Sequence, residues 1–209
     1  MGDREYVLSL IEKARVAQKE FENYSQEDVD KAVRAVGKVI FDNADPLAKL
    51  AVEETGMGKY EDKIVKNAAK SKITWLRLKG VKSRGIIARH DDIGIIEVAK
   101  PIGVIGCIPP TTNPTMTPMH NAMCALKGGN ALLISPHPRA KKTGVETVRL
   151  MRQALEAIGA PADLIQIIPE PSMEISGLVM ELCDTTIATG GPGMVKAAYS
   201  SGKPSYGVG

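Results

Sequence analysis

Four short apolar runs recur in the second half of the chain: Ile102–Ile108, Ala131–Ile134, Leu164–Ile168 and Thr185–Ala188. Each ends in a turn rich in proline or glycine. Runs of this length, bounded by turn formers, predict buried strands. The first, second and fourth lead into helical patterns. Strand–turn–helix units cannot pair as hairpins, so they predict a parallel sheet with helices on its faces, an α/β Rossmann-like fold. In such a sheet a ligand crevice belongs at the carboxyl ends of the strands.

The core of this sheet must be aliphatic, because 209 residues hold only two Phe, one Trp and five Tyr. Hydrophobic residues at 44% and charged ones at 24% exclude disorder, collagen and coiled coil. A formal charge of +3 is too small to argue for a nucleic-acid surface. Three cysteines, Cys107, Cys124 and Cys183, lack zinc spacing. No apolar stretch reaches membrane-spanning length and the N-terminus does not read as a signal peptide, so a reduced, cytoplasmic chain is expected.

The first hundred residues read as helical. Val7, Leu10, Ile11, Ala14, Ala17 and Phe21 recur at helical steps, and Ser25 is placed to cap a second helix bearing Val29, Val33, Val36 and Ile40. Asp45-Pro46 predicts a cap and a proline at the first position of a third helix, closed by Gly56. A fourth runs from about Glu61 to Leu78. Gly85–Ala88 and Gly94–Val98, joined through Asp91-Asp92, predict a hairpin. Residues 1–100 are thus expected to form helices plus a hairpin, and 101–209 a nucleotide-binding domain. The end, Gly207-Val208-Gly209, follows a Gly/Pro-rich turn with no capping helix or strand in view, and reads as an interruption.

Three turns carry polar chemistry to the strand ends. Pro109-Pro110-Thr111-Thr112-Asn113-Pro114 follows the first strand, and a proline-flanked Asn113 suits either stabilisation of an oxyanion or capping of the next helix. Ser135-Pro136-His137-Pro138-Arg139 follows the second and offers an imidazole and a guanidinium, fitting the ribose and phosphate of an adenine nucleotide or forming a plain surface turn. Thr189-Gly190-Gly191-Pro192-Gly193 opens a helix after the fourth, where free N–H groups suit a pyrophosphate, although the spacing is not G-x-G-x-x-G. His120 shows no Asp or Cys partner and reads as a helix-face residue. The cysteines read as buried and inert.

These turns, with Leu50-Ala-Val-Glu-Glu-Thr-Gly-Met-Gly58, Glu61-Asp-Lys-Ile-Val-Lys-Asn67, Pro101-Ile-Gly-Val-Ile-Gly106, Ser135-Pro-His-Pro-Arg-Ala-Lys141 and Ala188-Thr-Gly-Gly-Pro-Gly-Met-Val-Lys-Ala-Ala-Tyr-Ser-Ser-Gly-Lys-Pro204, run in order along nearly the whole chain. The set resembles the CoA-acylating aldehyde dehydrogenases, including the N-terminal half of bifunctional aldehyde–alcohol dehydrogenases. The resemblance implies that Asn113 donates to an oxyanion and that Ile108, Pro109, Pro110, Thr111, Thr112 and Asn113 line the nicotinamide side of NAD. It also implies that His137 lies near the adenosine ribose, and Gly190, Gly191 and Gly209 beside the dinucleotide.

The implied reaction is attack of a cysteine thiolate on an aldehyde, hydride transfer to NAD⁺, and release of the acyl group to CoA. Acetaldehyde leads as substrate, with sulfoacetaldehyde and propionaldehyde as relatives' alternatives. No cysteine of this chain stands at the family's nucleophile position, so the resemblance implies an incomplete, inactive cofactor-binding part. It further implies a homo-oligomer, with the hairpin in the contact. The competing expectations are a hydrolytic aldehyde dehydrogenase, disfavoured by Ser135-Pro-His-Pro, and a non-catalytic nucleotide-binding or assembly module.

Overall fold

A computed structural model describes residues 2–209. The four apolar runs become β3 (Val104–Ile108), β4 (Ala131–Ile134), β5 (Ile165–Ile167) and β6 (Thr185–Thr189), joined by β7 (Ser205–Val208). They form one sheet in the order β5-β4-β3-β6-β7, every neighbouring pair parallel. The order reverses between β3 and β6, the switch point at which crevices open in doubly wound folds.

β3 begins at Val104 rather than Ile102 because side chains occupy the donors before it. Asn130 Oδ1 accepts from the Ile102 and Gly103 N–H groups at 2.6 and 3.0 Å. Asp184 accepts from the Val104 N–H at 2.8 Å and pairs with Arg15 at 3.0 Å. Gly103 sits at φ +129°, and a Cβ there would stand 2.2 Å from the Asp184 carboxylate. Gly103→Ala is therefore expected to destabilise the chain by about 2–4 kcal/mol, combining backbone strain with displacement of the half-buried Asp184 anchor. Urea unfolding checks this, and an unchanged midpoint contradicts it.

Helices α5 (Met116–Lys127) and α6 (Lys141–Glu156) connect the strands on one face, with α2 (Gln26–Asp42) against both. On the other face lie α1 (Asp3–Phe21) and α7 (Met173–Leu182), which touch each other. Helices α3 (Ala44–Thr55) and α4 (Tyr60–Leu78) flank α2, and α8 (Pro192–Tyr199) links β6 to β7. One aliphatic core runs through residues of both halves of the chain, from Val7 and Ile40 to Leu133 and Val179. Buried Lys127 is neutralised by Asp30 where α5 meets α2.

Ser25 caps α2 as expected, its hydroxyl accepting from the Asp28 N–H at 3.1 Å, and Gly56 closes α3 at φ +65°. The start of α3 differs. It begins at Ala44, with Asn43 at the cap, so Pro46 is the third helical residue. Asp45 is engaged by the Tyr60 hydroxyl instead of capping. α7 was not expected after β5. Its apolar residues Ile175, Leu178, Val179 and Leu182 recur at helical steps, and Ser172 caps it by accepting from the Ile175 N–H at 3.0 Å.

The expectation that no strand follows the last turn is overturned. Ser205–Val208 pairs with Thr186–Thr189 in parallel. This short, Gly-containing stretch has no apolar run, and it is extended because β6 offers it a row of unpaired backbone groups. The hairpin is present as β1 (Gly85–His90), which runs on past Ala88, and β2 (Ile95–Ala99), shifted by one residue, with a bulge between Ile86 and Ala88. It stands apart from the main sheet and exposes Ile86, Ile93, Ile95, Ile96 and Val98.

Candidate active site

The three polar turns meet. A cleft of about 450 Å³ opens at the switch point and is walled by Ile108–Thr112 after β3, Pro136–Pro138 after β4, and Thr189–Gly191 after β6. The sequence reading thus has Ile108, Pro109, Pro110, Thr111, Thr112, His137, Gly190 and Gly191 on one cleft. Asn113 lines adjoining hollows at the same sheet edge. Gly209 is not on the cleft wall; it sits behind Gly190, whose carbonyl would lie 3.8 Å from a Cβ placed there. Arg139 is exposed and outside the wall, so of the imidazole and the guanidinium of that turn only His137 lines the cleft.

His137 has a defined tautomer. Its Nδ1 accepts from the Arg139 N–H at 3.1 Å, which leaves Nε2 to carry the proton of the neutral ring. Partial burial, reinforced by the Arg139 charge, holds its pKa below the ordinary imidazole value. At neutral pH His137 therefore offers the cleft an uncharged N–H donor. Gly191 is the cap of α8 with Pro192 at the first helical position, and a Cβ at Gly191 would meet nothing within 4 Å. The protein itself does not need a glycine there. That open face lies against the cleft, beside the helix's unsatisfied N–H groups.

Asn113 does not cap α5. The capping position is Thr115, and the Asn113 amide reaches only Thr112 Oγ1, at a long 3.5 Å. Asn113 is half-buried, and its amide has no other partner among the described residues. Below it, buried Lys63 donates to the Thr112 carbonyl at 3.2 Å, tying α4 to the turn.

The cleft also has residues that sequence reasoning missed: Met57, Ser172, Met173, Ser176 and Met194. Ser172 as a helix cap was the legible signal for α7. His120, read as having no partner, lies between two polar groups: Thr74 Oγ1 is 3.3 Å from Nδ1 and Cys124 Sγ is 3.8 Å from Nε2. Spacing of four on one helix was the overlooked sign. Cys107 and Cys183 are buried as expected, whereas Cys124 is only half-buried. Burial pushes the Cys107 thiol up to about 12, against an opposing hydrogen bond from Asn121, and Cys183 is likewise raised to about 12 by burial and then by Asp184. Cys124 is raised by burial as well.

A groove of about 280 Å³ between α2 and α4, walled by Phe41 and Trp75, lies away from the strand ends. It holds none of the polar turn residues. Among the described residues no group of His, Cys, Asp or Glu could hold a metal ion, and no helix is long and apolar enough to cross a membrane.

Comparison with known proteins agrees with this architecture. Residues 1–200 match the aldehyde dehydrogenase family model. The chain is 52% identical over 209 residues to the succinate-semialdehyde dehydrogenase (acetylating) of Clostridium kluyveri, covering all of this chain and 46% of that protein. It superposes on an acetylating aldehyde dehydrogenase from Geobacillus thermoglucosidasius with a TM-score of 0.96 and 43% identity, covering 99% of this chain and 46% of that one. A Rhodopseudomonas palustris propionaldehyde dehydrogenase solved with bound propionyl-CoA gives 0.86 at 36% identity, covering 96% and 45%. The chain spans less than half the length of these proteins. With a family-model match over residues 1–200 and the superposition on the Geobacillus enzyme, the chain belongs to the aldehyde dehydrogenase family.

Proposed function

We propose that these 209 residues supply the nicotinamide-dinucleotide site and the oxyanion donor of a CoA-acylating aldehyde dehydrogenase, which converts an aldehyde, NAD⁺ and CoA to acyl-CoA, NADH and a proton. The observation that carries this reading is the meeting of three strand-end turns on one cleft at the switch point. The acylating relatives support the reaction class. The cleft fits the cofactor. Its volume lies in the range of ligand sites, Ile108, Pro109 and Pro110 give apolar surface for a flat ring, and the His137 Nε2–H can donate to a ribose hydroxyl. The Gly190–Gly191 turn at the start of α8 suits a pyrophosphate. Residues 101–209 form the dinucleotide part in this reading, and residues 1–100 its helical and hairpin support.

When bound, the nicotinamide ring supplies the hydride acceptor. Asn113 holds the carbonyl oxygen through Nδ2–H as negative charge develops there. The buried thiols of this chain are not placed to attack the carbonyl, so the reading assigns the nucleophile to protein outside these residues. Three free thiols favour a reducing compartment, the cytoplasm.

Titration of the ¹⁵N-labelled chain with NAD⁺ tests the cofactor site. Amide shifts are expected at residues 108–113, 137 and 190–191, and Gly191→Ala should weaken binding at least tenfold with little change in stability. Because the cleft is open to solvent, affinity is expected to be weaker than micromolar. Shifts confined to the α2–α4 groove contradict the site. A non-catalytic nucleotide-binding module remains the second reading, favoured by the buried thiols alone.

The hairpin completes the proposal. Its exposed isoleucines form a surface for a second copy of the chain, and a free strand edge adds backbone pairing. Light scattering is expected to show self-association that Ile95→Lys with Ile96→Lys abolishes; a monomer at high concentration in the unmodified chain contradicts it.

A further inference from the structure

We propose that the hollow beside Asn113 takes an aldehyde whose far end carries an anionic group, a carboxylate or sulfonate, held by Lys66 and Lys70. The inference rests on the functional reading above and adds a substrate class to it. Lys63, Lys66 and Lys70 recur at steps of three and four, so they share one face of α4. Like charges at that spacing repel, and among the described residues none of the three has a carboxylate within ion-pair distance. Lys63 is spent on the Thr112 carbonyl. Lys66 and Lys70 instead border a hollow of about 400 Å³ together with Asn113, Thr117, His120 and Asn121.

That wall has two cations, amide and hydroxyl donors, and no carboxylate. Asp62 belongs to a neighbouring hollow with Lys59, Lys63 and Lys66. The local field is positive enough to disturb its neighbours. The Lys63 ammonium is held below its usual range by burial and then by Lys66, and His120 by burial and then by Lys70 and Arg77. A carbonyl oxygen at Asn113 and an anion at Lys66 and Lys70 would use both ends of the hollow. A neutral short aldehyde would leave the cationic end with water alone.

The chain itself tests this with unreactive analogues. In NMR titrations, 4-hydroxybutyrate (carboxylate) and 3-hydroxypropanesulfonate (sulfonate) are compared with the uncharged 1,4-butanediol. At least one anion is expected to shift the Lys66 and Lys70 side-chain signals and the Asn113 side-chain amide, and the arm that binds tighter names the anion. The diol is expected to shift none. Lys66→Gln with Lys70→Gln should weaken anion binding at least tenfold without altering the thermal midpoint, and added salt should weaken it in the unmodified chain. Equal shifts from the diol, or no response from either anion, overturn the inference. So does a response of the lysines to adenosine 3′,5′-bisphosphate alone, which would make them phosphate ligands. NAD⁺ titration of the same double variant reads the cofactor site separately. If Gly191 still shifts with NAD⁺ while the anions fail, only this inference falls.

Discussion

No NADH is expected when the 209-residue chain is given aldehyde, CoA and NAD⁺, even when it is folded and binds the cofactor. Hydride can leave only from a tetrahedral adduct, and the adduct requires a thiolate at the carbonyl carbon. Cys107 is the thiol nearest to Asn113 in sequence, but it lies in β3, fully buried, and pairs with Ile134 and Ile187 of the neighbouring strands. With its pKa near 12, the thiolate fraction at pH 7 is on the order of one in 10⁵. Cys183 is no better placed, at the end of α7 and as strongly raised. Cys124 is the most accessible of the three, yet burial raises it too, and its imidazole neighbour at 3.8 Å is itself held neutral. Turnover by this chain that disappears in Cys107→Ser or Cys124→Ser overturns the assignment of the nucleophile.

The second large effect is expected at Asn113. In an active enzyme made by joining these residues to the remaining part of an acylating relative, Asn113→Ala should lower kcat by about 10²–10³ and leave KM nearly unchanged. That is the signature of a donor used only as charge develops. The structure makes the experiment clean. The side chain has one long contact, to Thr112, and the helix start depends on the Asn113 carbonyl, which accepts from the Thr117 N–H at 3.2 Å and survives the substitution. Stability should stay within about 0.5 kcal/mol of the parent. A rise in KM with kcat unchanged would mean that the side chain binds the ground state and the transition state alike.

Some of this molecule was legible residue by residue. The apolar spacing in α1 and α2 matches their buried faces, because an amphipathic helix has only one face to hide. β3 and β4 were readable as continuous apolar runs, since strands covered on both sides need no alternation. α7 was passed over although it obeys the same rule as α1 and α2: its stripe of Ile175, Leu178, Val179 and Leu182 spans only two turns, and Ser172 stands before it as the cap. The start of α3 was misjudged because a local rule for Asp-Pro competed with a partner fifteen residues away, the Tyr60 hydroxyl.

The sequence by itself determined the layer architecture and the three polar turns, because each follows from short-range pattern. Tertiary structure alone decided the rest. β7 exists because β6 has an edge to satisfy, not because Ser205–Val208 favours extension. His137 donates through Nε2 because the Arg139 N–H takes Nδ1, whereas the Arg139 side chain is exposed and does not line the cleft. Lys66 and Lys70 face Asn113 because α4 lies against α5 across forty residues of chain. Periodicity records which side of an element is buried. It does not record which element covers that side, and the chemistry of a site depends on that pairing.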